Sequence, residues 1–119
     1  MSRHIFGYTL AAALFLVLLP FPAIAAKTDV VVLINGNAVT GEVKSLEFGV
    51  LRYSTDSMGT VNIDWEDIVA VTSTQDLQIE LTDGTRHFGE ISPTGDAHHI
   101  RIVTRTAEHI VESGQIVRI

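Results

Sequence analysis

Histidines are the side chains in this chain best suited to chemistry, and four of the five lie close together in sequence: His87, His98, His99 and His109. Imidazole is the commonest transition-metal ligand and titrates near neutral pH. At an offset of 48 residues these positions fall opposite Val39, Val50, Leu51 and Val61, all apolar. That correspondence places His87 and His109 at one interior or groove. His98 and His99 are adjacent in an expected strand, so they point to opposite faces and cannot both join one site. His87, His109 and His99 are therefore the candidate ligands of a divalent metal, or the core of a pH-sensitive contact. A second group, Asp64, Glu66 and Asp67, packs three carboxylates into four residues, and a hard cation such as Ca²⁺ takes oxygen ligands of this kind. Asp64 and Glu66 project from the solvent face of a strand, however, and the second half of the chain keeps only Glu112. A solvated surface is the expectation there. Thr82-Asp83-Gly84-Thr85 superficially resembles an aspartic-protease loop, but the order is wrong and Asp-Gly reads as a turn. There is no cysteine nucleophile, no Gly-x-Ser-x-Gly elbow and no phosphate loop. No catalytic set can be assembled, so no enzyme and no cofactor is expected.

The offset that aligns the histidines comes from a repeat. Leu33-Ile34-Asn35-Gly36 with Gly41-Glu42-Val43 returns as Leu81-Thr82-Asp83-Gly84 with Gly89-Glu90-Ile91, 48 residues later. Asn35-Gly36 and Asp83-Gly84 between apolar runs are hairpin signals, expected to form type I′ turns. Gly41 and Gly89 fall inside the returning strands, where glycine marks a bend, a bulge or a close backbone approach. The match continues through Val61-x-Ile63 with His109-x-Val111, and through Ile68-Val69-x-Val71 with Ile116-Val117-x-Ile119. Only the middle slips: Leu51-x-Tyr53 aligns with Ile100-x-Ile102 one residue out of step.

The first 25 residues read as a secretory signal peptide. Arg3 and His4 precede an uncharged run from Ile5 to Leu19, Pro20 and Pro22 interrupt it, and Ala23-Ile24-Ala25 supplies the small-x-small cleavage pattern. A membrane anchor is the rival reading. The prolines and the lack of a following basic cluster argue against it. Cleavage after Ala25 leaves 94 residues with seven Lys or Arg against 14 Asp or Glu, a net charge of −7. Such an acidic surface is unsuited to phosphate backbones, so nucleic acid is excluded as a partner. With no cysteine, no disulfide braces the fold in an oxidising compartment, and a packed core must do so.

Alternation dominates the exported part. Val61, Ile63 and Trp65 share one face of a strand, and Leu77, Ile79 and Leu81 share one face of another. Ile68 and Val71 break the period of two, which suits a single 3₁₀ turn before a short strand. No stretch after residue 26 has a helical period. The expected fold is all-β, with about ten short strands in two tandem small barrels, SH3-like or Sm-like, over residues 26–74 and 75–119. The polar run Thr72 to Asp76 is the expected junction. Phe48 precedes Gly49 in a turn, either capping a barrel end or offering a partner surface.

Asp29-Val30-Val31-Val32-Leu33-x-Asn35-Gly36, Gly41-Glu42-Val43-x-Ser45-Leu46-Glu47 and Gly59-Thr60-Val61-x-Ile63-Asp64-Trp65 together resemble the N-terminal periplasmic segment of the DUF481 family of Gram-negative outer-membrane proteins. In that family a small barrel precedes a membrane-spanning β-barrel. The resemblance covers residues 29–92 and implies periplasmic location and small-barrel fold. Strands that span a membrane need about 9–11 residues each, which these short, turn-interrupted strands do not provide. The Leu-x-Asp-Gly-x-x-x-x-Gly pattern is also similar to Sm-type barrels, whose RNA binding the acidic charge argues against. The expected role is that of an exported, non-catalytic binding or scaffolding module of the cell envelope. Its partner would be an envelope protein, or a second copy joined along a strand edge, and the mature chain would have no membrane span. The alternative is a histidine-dependent metal-binding or pH-responsive module.

Overall fold

Each Leu-x-[Asn/Asp]-Gly stretch turns a hairpin, and the two hairpins share a geometry. A computed structural model describes residues 27–119; the expected signal peptide lies outside the described residues. In the first hairpin the Gly36 N–H donates to the Leu33 carbonyl, and the Leu33 N–H donates to the Asn37 carbonyl, at 2.9 and 2.8 Å. Gly84, Leu81 and Thr85 repeat both bonds at 2.9 Å. Gly36 and Gly84 have φ of +87° and +86°, while Asn35 and Asp83 are not in the left-handed region. These are three-residue loops, a type I turn followed by one left-handed glycine, rather than the type I′ turns expected from Asn-Gly and Asp-Gly. The difference has a local cause. The Asn35 and Asp83 side-chain oxygens accept the N–H two residues on, from Asn37 and Thr85, both at 2.9 Å, and such Asx bonds hold the second turn residue in the right-handed region.

Nine strands form one antiparallel sheet. They are β1 (Asp29–Leu33), β2 (Ala38–Glu47), β3 (Val50–Thr55), β4 (Gly59–Asp64), β5 (Ile68–Leu81), β6 (Arg86–Pro93), β7 (His99–Val103), β8 (Glu108–Glu112) and β9 (Ile116–Arg118). One 3₁₀ turn, Trp65–Asp67, precedes β5, and another, Ser113–Gln115, precedes β9. The sheet runs β4-β3-β2-β1-β5-β6-β7-β8, with β9 pairing β2 and β5. The repeat in sequence is a repeat in register. Asp29 faces Gly41 and Val31 faces Val39; Leu77 faces Gly89 and Ile79 faces His87. Val32 and Leu33 face Ala70 and Ile68 across a bulge; Glu80 and Leu81 face Arg118 and Ile116 across the same bulge.

The expected junction at 72–76 is strand. β5 runs for 14 residues, its register with β6 shifting between Ser73 and Leu77, so two expected strands are one and the described residues hold nine. Its first half pairs β1 and its second half pairs β6 and β9. Gln75 is tolerated there because its amide has partners, whereas the buried Ser73 hydroxyl has none among the described residues. The Gln75 amide donates to the Asp29 carboxylate at 2.8 Å and to the Val43 carbonyl at 3.2 Å. Asp29 is itself buried and also accepts the Val43 N–H at 2.8 Å; the Tyr53 hydroxyl donates to the Asp29 and Val39 carbonyls at 2.8 and 2.9 Å. In the second repeat the same positions hold Leu77 and Ile102. Burial has raised the Tyr53 hydroxyl from an ordinary 10 to about 12, with the Asp29 charge adding to the effect.

One cluster of 14 buried apolar side chains runs through both repeats, from Val31 and Val43 to Ile102 and Ile116. The repeats also exchange edges. Leu46 and Ile119 donate to each other's carbonyls, both at 3.1 Å, so β9 seals against β2. Reciprocally, Ser73 of β5 faces Ile91 of β6, and the His98 N–H donates to the Val69 carbonyl at 3.0 Å. Among the described residues no helix is long and apolar enough to cross a membrane.

Candidate functional site

β6 passes so close to β7 at Gly89 that only glycine fits: an added Cβ would overlap the Val103 carbonyl. His87 on β6 and His109 on β8 meet although β7 lies between these strands in the sheet, with ring centroids 4.2 Å apart and planes inclined by 32°. Both are half-buried. Their counterparts Val39 and Val61 are partly buried and pack against the core. Two valines packed on the core in the first repeat are thus two imidazoles in contact in the second. The histidines border an open groove of about 690 Å³, which also takes in Phe88, Arg105, Asp76 and Glu90. Arg86, on the rim, is paired with the Glu80 carboxylate at 3.5 Å. The Asp83 carboxyl, in the neighbouring turn, sits below its ordinary range because the Thr85 hydroxyl and N–H both donate to it; the nearby His87 adds a smaller effect.

The structure does not bring His99 to this pair. It starts β7 opposite Glu112, whereas His109 faces Ile102. The His99 Nδ1 lies 2.9 Å from the Ala97 carbonyl. His98 is held by its backbone, with φ of +59° and its carbonyl accepting the Ser113 N–H at 2.7 Å. Among the described residues no three His, Asp or Glu side chains converge on a metal-sized point. Asp64, at the end of β4, and Glu66, in the following 3₁₀ turn rather than on the strand as expected, are exposed, and Asp67 is intermediate.

Phe48 is the second feature. Phe48 and Gly49 are the two loop residues between the facing pair Glu47 and Val50, with φ of +51° and +74°. This is the two-residue hairpin with both central residues left-handed, the type I′ geometry expected elsewhere. Asn, Asp and Gly suit its first position; a bulky aromatic does not. Phe48 nevertheless occupies it with 93% of its surface exposed, so it caps nothing. Shallow grooves of about 490 and 430 Å³ lie on either side, one reaching Val50 and His98, the other Val117 and Ile116, with Trp65 bordering both. Val50 and Val117 are exposed apolar neighbours, and Glu47, Asp64 and Glu66 stand around them, all exposed. The sequence marked Phe48 through the glycine beside it, but only backbone geometry shows that its conformation is costly.

No protein-family model matches the chain, and no curated protein and no solved structure matches it either.

Proposed function

We propose that this chain is an exported, non-catalytic binding module of the Gram-negative cell envelope, built as two tandem SH3-like small barrels, and that its partner docks on Phe48. The observation that carries the reading is Phe48 itself: a large apolar side chain held fully exposed in a conformation that disfavours it. Strain of this kind persists where the side chain is needed, and the inference runs from the outlier to the role. Three carboxylates, Glu47, Asp64 and Glu66, outnumber the one arginine on these grooves, Arg118, which Glu80 engages at 3.4 Å, and this balance selects the partner's charge. The occupant is a segment of an envelope protein with an apolar side chain flanked by Lys or Arg. Two observations support the barrels. Each repeat pairs its first strand with the strand that follows a 3₁₀ turn, and each brings its second strand against the next one at a glycine that no other residue could replace without displacing a neighbour. The charged start, apolar run and Ala23-Ile24-Ala25 support export, and the resemblance of residues 29–92 to a periplasmic segment supports the same address.

The test uses peptides of one length, with a central leucine or phenylalanine flanked by Lys and Arg in one set and by Asp and Glu in the other. Fluorescence anisotropy should show binding of the basic set alone, weakened tenfold or more by Phe48→Ser. Equal binding by the Ser variant, or a preference for the acidic set, would sink the reading.

A further inference from the structure

We infer that His87 and His109 form a binding site for a divalent ion of the later first transition row, Cu²⁺, Ni²⁺ or Zn²⁺, with two imidazole ligands. The argument starts from the paired replacement. In the first repeat, Val39 and Val61 pack against the core; in the second, both positions are histidine and the rings are 4.2 Å apart. Half-buried imidazoles give up part of their hydration and lose the packing that two valines provide, so the exchange of both members is not a packing improvement. Two neighbouring nitrogen donors on fixed strands are, by contrast, the start of a coordination sphere.

Donor type selects the ion. Imidazole suits Cu²⁺, Ni²⁺ and Zn²⁺ and is a poor ligand for Ca²⁺ or Mg²⁺. The rings lie 4.2 Å apart and inclined by 32° rather than parallel, and the second side-chain torsion of histidine is soft, so on binding each ring would turn one nitrogen toward the ion, at about 2.0–2.1 Å. The groove is open to solvent and admits a hydrated ion. Its fixed charges do not oppose one: Asp76 and Glu90 border the same groove as Arg86 and Arg105, and Arg86 is engaged by Glu80. Because, among the described residues, no third His, Asp or Glu converges with the pair, water completes the sphere. The site is therefore of modest affinity, and the natural order of divalent affinities, with Cu²⁺ above Ni²⁺ and Zn²⁺, governs it.

The test uses the chain as its expression host processes it, purified without an oligohistidine tag. Melting temperature is measured against Cu²⁺, Ni²⁺, Zn²⁺ and, as a control, Mg²⁺. At saturating Cu²⁺ the wild type should melt about 5 °C or more higher, with Ni²⁺ and Zn²⁺ giving smaller rises and Mg²⁺ none. The double variant H87V/H109V restores the pair found in the first repeat, so it is expected to fold, and its response should be flat. The variant H98A/H99A should respond as the wild type does. In NMR spectra, Zn²⁺ should shift the imidazole signals of His87 and His109 and leave those of His98 and His99 in place. A flat wild-type response would overturn the inference. A response that survives in H87V/H109V, or that disappears in H98A/H99A, would overturn it equally.

Discussion

The indole Nε1 of Trp65 donates to the carbonyl of Ser113 at 2.7 Å, across a separation of 48 residues, the period of the repeat. Trp65 and Ser113 open the two 3₁₀ turns, so each touches its own counterpart. Together with the shared edges, β9 against β2 and β5 against β6, this contact ties the two repeats to each other. The indole is buried, and its replacement leaves a carbonyl without its donor. Trp65→Phe should cost about 1–3 kcal/mol, seen as a lower urea midpoint with an unchanged slope. In the wild type, tryptophan fluorescence and far-ultraviolet circular dichroism should report a single coincident transition. Two separated transitions would show that the repeats melt independently.

Phe48→Asn should stabilise the fold. Asn-Gly is the favoured pair for a turn with both central residues left-handed, and Phe48 makes no buried contact to lose. A gain of about 0.5–1 kcal/mol is expected, read as a rise in melting temperature, accompanied by loss of binding to basic peptides. A stability gain with binding retained would separate the turn from the docking surface.

Glycine replacements should divide by location. Gly89→Ala forces a methyl into the Val103 carbonyl, and Gly41→Ala forces one into the Ser54 carbonyl and to within 2.6 Å of the Tyr53 ring. Each should cost about 1–3 kcal/mol or more. Gly114→Ala meets nothing within 4 Å and needs no left-handed backbone, so its midpoint should move by less than about 0.5 kcal/mol. Denaturation of the three variants side by side checks the ranking.

Tyr53 makes the fold sensitive to alkali. Its hydroxyl ionises near 12 in the folded chain against 10 in an ordinary environment. A group whose folded value is raised contributes its full stability below 10 and loses it as pH climbs from 10 toward 12. Unfolding free energy should fall through that window. Tyr53→Phe should remove that part of the slope, at a cost of about 1–2 kcal/mol at neutral pH for the two hydrogen bonds to Asp29 and Val39. An identical alkaline slope in the Phe variant would assign the loss to other groups.

Much of the architecture was legible because it is periodic. A 48-residue offset that aligned Val31 with Ile79 and Val43 with Ile91 also aligned their pairing partners, because register follows the alternation of apolar side chains. The meeting of His87 and His109 was legible by the same route, through the inward-facing valines they replace. Three things were not. Residues 72–76 look like a linker by composition, and only the partners of Gln75 and the burial of Ser73 reveal a strand. The turn types were interchanged, since an Asn-Gly pair does not show where its side-chain amide will bond. His99 resembled a ligand until the register placed it opposite Glu112 rather than near the pair.

The course of β5 has a mechanical consequence. The strand belongs to both repeats, pairing β1 with its first half and β6 and β9 with its second. The turn at Phe48 and the imidazole groove of the second repeat are therefore joined through paired strands rather than through a free loop, with the shift of register between Ser73 and Leu77 as the one irregularity in β5's pairing with β6.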